Sequence, residues 1–216
     1  MVQVSTTIAV VGCVLSFSRS LFVSSSPTAS SADAAIDELP DGYHRSPIHW
    51  RGILQAGKEE VYLSGMDFDE IEAKARALNP SYTIFARGNS SDAADRGYLN
   101  KRQTQDFHCG WPESWEYSLS TAAAWAGIDY LEDIIGNCRA APGPGSCGRV
   151  SCSYDTGIWY CNDNTDEYWV PCGWIGDVAA TVVTECTVKI EDKLYGVKGQ
   201  IFDSRNWNVI VAGTLC

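Results

Sequence analysis

Eight of the nine cysteines of this chain fall between positions 109 and 216, and none falls between 14 and 108. That uneven distribution constrains the fold more than any other feature. The eight are Cys109, Cys138, Cys147, Cys152, Cys161, Cys172, Cys186 and Cys216, with Cys13 alone near the N-terminus. An even set confined to one half of a chain is the pattern of a domain stapled by four disulfides, which persist in an oxidising compartment. A zinc site would need reduced thiolates, and His108 is the only histidine after residue 102 that could join them as a ligand. The spacing leaves the pairing open.

The N-terminal part reads as processing information. Ile8 to Phe17 are apolar or small throughout, and a Ser-rich run follows from Ser24 to Ser31. A bilayer core needs about 20 apolar residues in a helix, so this stretch is too short to span and reads as a secretory leader over residues 1–32, its cleavage point unspecified. Residues 33–102 carry no cysteine, are rich in Asp, Glu and Ala, and end in Lys101-Arg102 before Gln103. This is the only adjacent basic pair in the chain, the substrate of a kexin-type processing protease. The expectation is an acidic pro-segment, a folding aid or a spacer, whose removal leaves residues 103–216 with Gln103 as a cyclisable N-terminus. Within it Met66 to Leu78 predicts a short helix with Asp67, Asp69 and Glu70 in the first turn, where carboxylates favour the helix dipole. Asn89 begins a glycosylation sequon.

Residues 103–216 hold six Lys and Arg against fifteen Asp and Glu, a net charge of −9. A surface that tracks phosphates needs clustered cations, so the charge argues against nucleic acid as a partner. Ser120 to Cys138 carries an apolar helical stripe of Leu119, Ala123, Ala126, Tyr130, Leu131, Ile134, Ile135 and Cys138. Ile175, Val178, Ala179, Val182, Val183 and Cys186 form a second. Val150, Cys152 and Tyr154 alternate with polar residues, Asp155-Thr156-Gly157 supplies a turn, and Ile158 to Cys161 returns as a strand. Leu194 to Phe202 and Trp207 to Ala212 predict two more strands, and the segment around Phe107 another. The expected fold is α+β: a small disulfide-rich split βαβ-type sandwich, β-α-β-β-α-β plus an extra strand, with two helices on one face of an antiparallel sheet.

Cys147-Gly-Arg-Val-Ser-Cys-Ser-Tyr154, then Ile158-Trp-Tyr-Cys-Asn-Asp-Asn164 and a helix ending in Cys186, resembles the core of a large group of cysteine-rich secreted fungal proteins, many of them effector candidates. The element order alone also resembles the small α/β killer toxins encoded by viruses of smut fungi. The resemblances imply a toxin- or effector-like protein that binds a protein or glycan target; with the leader they make it secreted and extracellular, and no cofactor and no stable membrane insertion of residues 103–216 are expected.

Catalytic residues are scarce. His108 is the one histidine left after processing, beside a cysteine, so no nucleophilic triad is legible. A small secreted ribonuclease or other hydrolase would have to use a set such as His108, Glu113 and Arg149. Asn162, Asn164 and Asp166 have the alternate spacing of a calcium loop, yet Glu167 stands where glycine is needed and Gly173 where the closing glutamate is needed. Turn chemistry accounts for the stretch, and no metal site is expected. Seven tryptophans lie after residue 102. Most belong to a core, but Trp125, between Asp129 and Glu132 on the first helix wheel, and Trp174, away from the Ile175 stripe, are the candidate binding surface. The leading expectation is a non-enzymatic effector; a carbohydrate-binding wall protein using exposed tryptophan is the alternative, and a hydrolase the second.

Overall fold

The computed structural model describes residues 39–85, 104–111 and 113–216. The leader, Asn89, Lys101, Arg102 and Gln103 lie outside the described residues. Twelve strands and three helices follow in order among the described residues: β1 (His44–Arg45), β2 (Ile48–Gly52), β3 (Val61–Gly65), α1 (Phe68–Leu78), β4 (Thr104–Cys109), α2 (Thr121–Glu132), β5 (Asn137–Arg139), β6 (Ser146–Ser153), β7 (Thr156–Asn162), β8 (Val170–Pro171), α3 (Cys172–Cys186), β9 (Thr187–Glu191), β10 (Leu194–Val197), β11 (Gly199–Asp203) and β12 (Trp207–Gly213). The fold is α+β.

The largest sheet has the order β1-β6-β7-β12-β11-β4, all neighbours antiparallel except β1 and β6. Its central strands are buried on both faces, and their residues alternate between two clusters as a period of two requires. Ile158, Tyr160, Trp207, Val209 and Val211 face the main core under α2 and α3. Trp159, Cys161, Ile210 and Ala212 face the other way, with Trp115, Leu39 and Tyr43. A second sheet, β3-β2-β5-β8, turns Ile48, Trp50, Cys138 and Val170 into the main core, and β9 pairs with β10 as a separate ribbon.

The four disulfides are Cys109–Cys186, Cys138–Cys172, Cys147–Cys161 and Cys152–Cys216. Cys147 and Cys161 sit directly opposite each other in the β6·β7 register, and the other three pairs tie β4 and β5 to the two ends of α3 and β6 to Cys216. α2 and α3 both pack on the face of the large sheet that carries Ile158, Tyr160, Val209 and Val211. Within residues 104–216 the strand order is β6-β7-β12-β11-β4, so the first strand, β4, lies at the sheet edge beside β11, and β12 stands between β7 and β11.

Two local expectations are corrected. The first long helix ends at Glu132 instead of reaching Cys138: Gly136 takes φ +99°, and Asn137–Arg139 become a strand between β2 and β8. Pairing with a segment far away in sequence overrides the local stripe. The β6–β7 turn falls at Tyr154 and Asp155, with φ of 47° and 54°, two residues before the expected glycine. The helix expected over Met66 to Leu78 is present as α1, and at its start the Asp67 carboxylate accepts from the Glu70 N–H (2.8 Å) and Glu70 accepts from the Met66 N–H (2.9 Å), a reciprocal cap.

Candidate functional site

A two-residue hairpin loop with both φ angles positive matches the twist of its strands, and it projects Tyr154 from the tip of β6 and β7. Tyr154 is 86% exposed, the most exposed large apolar side chain among the described residues. Beside it lies a depression of about 390 Å³ lined by Glu116, Tyr117, Leu119, Ser120, Asp155 and Leu215. Leu119 and Leu215 are about half exposed.

The floor is held from several directions. The Gly213 N–H donates to the Glu116 carbonyl (2.9 Å), and the Thr214 N–H donates to the Asp155 carbonyl (3.1 Å). A buried Ser118–Thr156 hydroxyl pair joins the floor to β7 (2.6 Å), and Cys152–Cys216 anchors the C-terminus to β6. The Lys198 ammonium, itself buried, bonds the Trp115 carbonyl (2.7 Å) and sits 4.8 Å from the centre of the Tyr117 ring. An apolar surface edged by the Glu116 and Asp155 carboxylates, held by a disulfide and a hydrogen-bonded floor, is preorganised for binding.

Trp125 is the only exposed tryptophan among the described residues, at 43%. Trp174 is half-buried, with the Arg205 guanidinium 5.1 Å from its ring and Arg205 held by two bonds to Asp203 (2.6 and 2.7 Å). Tyr154 was not singled out in the sequence, where it reads as one more strand residue in line with Val150 and Cys152. The adjacent Asp155 turn was the one available signal that it ends the strand.

The set His108, Glu113 and Arg149 is not assembled. His108 lies on edge strand β4 and Arg149 on β6, four strand spacings apart, or roughly 19 Å. His108 faces Asp106 (3.5 Å) and the Phe202 ring, while Arg149 donates to the Leu215 carbonyl (2.9 Å). Asn162, Asp163 and Asn164 spend their polar atoms on the chain: Asn162 Nδ2 donates to the Ala141 and Asp166 carbonyls, Asp163 accepts from the Gly145 N–H and from Asn208, and Asn164 Nδ2 donates to the Arg205 and Asn206 carbonyls. Among the described residues no group of three or more His, Cys, Asp or Glu is placed to hold a metal.

A second cleft, also about 390 Å³, runs between Asp67–Asp69 and Tyr130, Arg149 and Ser151–Ser153. Burial, with the charges of Asp69, Asp67 and Glu72, pushes the Tyr130 hydroxyl far above its usual value, so it stays protonated.

No helix among the described residues is long and apolar enough to cross a membrane. No family model, curated protein or solved structure matches the chain.

Proposed function

We propose that this is a secreted fungal effector- or toxin-like protein that acts by binding an extracellular or host protein, without catalysing a reaction, and that the surface around Tyr154 makes the contact. The observation that carries this reading is the rigid presentation of Tyr154, Leu119 and Leu215 beside one apolar depression. A tyrosine is a favoured anchor because it brings a large contact area with few rotatable bonds. The four disulfides fit an oxidising destination, and the leader with kexin-type processing at Lys101-Arg102 belongs to the same reading.

The test is surface labelling of host or competitor cells by fluorescently tagged protein. Tyr154→Ser combined with Leu215→Ser should lower labelling about tenfold or more with an unchanged thermal midpoint. Labelling equal to wild type rules this surface out. A second reading, binding to a wall glycan, is favoured by Trp125 as the exposed tryptophan. Retention on chitin or β-glucan that Trp125→Ala abolishes would establish it, and turnover of RNA or glycan substrates would replace both readings with an enzyme.

A further inference from the structure

The sequence alone points to release of residues 103–216 by themselves, but the packing of residues 39–85 points elsewhere. Strand β2 is interior to its sheet: it pairs with β3 on one side and with β5 on the other, in the register His49↔Arg139, Trp50↔Cys138, Arg51↔Asn137. Without β2, β5 would keep only the two-residue strand β8 as a neighbour. Trp50 is fully buried, and its indole N–H donates to the Ile135 carbonyl (2.7 Å). Ile48, Phe68, Ile71 and Ile84 join the same core as Ile128, Leu131 and Val178.

The other partners in residues 104–216 are shaped around this segment. A Cβ on Gly148 would stand 1.9 Å from Ile48 Cδ1. The His44 N–H donates to Gly145 and the Ser46 N–H to Cys147, both at 2.7 Å, adding β1 to the edge of the large sheet. On the outer face of the small sheet the Trp169 ring receives Arg51 at 4.7 Å from one part of the chain and Arg139 at 5.0 Å from the other. All four disulfides nevertheless join residues after 108, and residues 39–85 contain no cysteine.

We propose that residues 39–85 are a permanent, non-covalently held part of the working protein. The inference rests on the processing reading: water adds across the Arg102–Gln103 peptide bond under a kexin-type protease, leaving a carboxylate on Arg102 and an amine on Gln103. The product is then a two-chain complex, held by a strand inside one sheet, a strand at the edge of another, and a shared core. The partner of residues 103–216 is a segment of their own precursor.

Full-length chain secreted from a fungal host is measured by mass spectrometry without reduction, first denatured and then under native conditions. The expected result is two separate masses when denatured and their sum when native. Two denatured masses with residues 103–216 alone in the native spectrum would overturn the inference and leave the processing reading standing. A single uncut mass would remove the processing reading instead. The inference is then decided on purified chain with a tobacco etch virus protease site in place of Lys101-Arg102: co-elution of both pieces after cutting supports it, separation sinks it. In the same assay Ile48→Asp should shift the cut protein from one peak to two.

Discussion

Residues 39–85 and residues 104–216 share one hydrophobic core but are held in it by different means. The larger part has four covalent links, the longest joining Cys109 and Cys186 across 77 positions. The smaller part has none and is held by insertion: Trp50, Ile48, Ile71, Ala75 and Ile84 are all at 0% exposure. A stretch of that length buries little apolar surface by itself and is marginal as an independent fold. Disulfides therefore mark where the chain is stapled, not where its core ends. An acidic, cysteine-free composition says how a segment is held and says nothing about whether it is dispensable.

The comparison breaks most sharply if the stapled part folds alone. Residues 103–216 produced without the preceding segment should show no cooperative unfolding and a scrambled disulfide map, read by near-ultraviolet circular dichroism and non-reducing peptide mapping. A cooperative transition near that of the whole chain would make the smaller part an accessory. Removing the long link by Cys109→Ser with Cys186→Ser should cost about 4.5 kcal/mol of unfolding free energy in urea, from chain entropy alone. Trp50→Ala, which leaves a cavity and an unpaired Ile135 carbonyl, should cost about 3–5 kcal/mol, comparable to the loss of a disulfide. If it costs under about 1 kcal/mol, insertion is not what holds the smaller part.

Two smaller effects sharpen the picture. Burial, together with the neighbouring Arg139 charge, lowers the proton affinity of His49 against the opposing pull of Glu167. The unfolded chain then takes up this proton before the fold does. The contribution is complete above the ordinary histidine value of about 6.5 and is lost as pH falls below it. Denaturation curves between pH 7 and 5 should flatten with His49→Gln; an unchanged slope would place the acid sensitivity elsewhere. Tyr154→Ser should move stability by no more than about 0.5 kcal/mol, since its ring touches mainly solvent. A larger loss in urea titration would make Tyr154 part of the scaffold and weaken its assignment as a binding anchor.

Local features were legible in the sequence wherever a single element decides them. The stripe Ile175, Val178, Ala179, Val182, Val183, Cys186 is the buried face of α3, and the acidic start expected for the helix Met66 to Leu78 is present in α1, with Asp69 and Glu70 in its first turn. The helix wheel likewise places Trp125 outward, whereas Arg205, brought from 31 positions away, decides that Trp174 is half covered. The expected strand Leu194 to Phe202 divides into β10 and β11, because the first half pairs with β9 and the second with β4 and β12. The candidate site was less legible: its floor joins Glu116–Ser118, the hairpin tip and the C-terminus, three stretches with no local signal in common.

By itself the sequence determined the even cysteine set, the acidic charge, the buried face of α3 and the dibasic pair, because each depends on residue type and near neighbours. The stripe read for the first helix did not hold: Leu119, Ala126 and Ile135 are exposed, and Ala124, Gly127 and Ile128 are buried instead. Only the tertiary structure decided which cysteines meet, that Asn137–Arg139 form a strand, that the second face of the large sheet is covered by Leu39, Tyr43 and Trp115, and that residues 39–85 complete the core. Each of these is a pairing between distant segments, set by which surfaces can be buried together, and no local pattern encodes the partner.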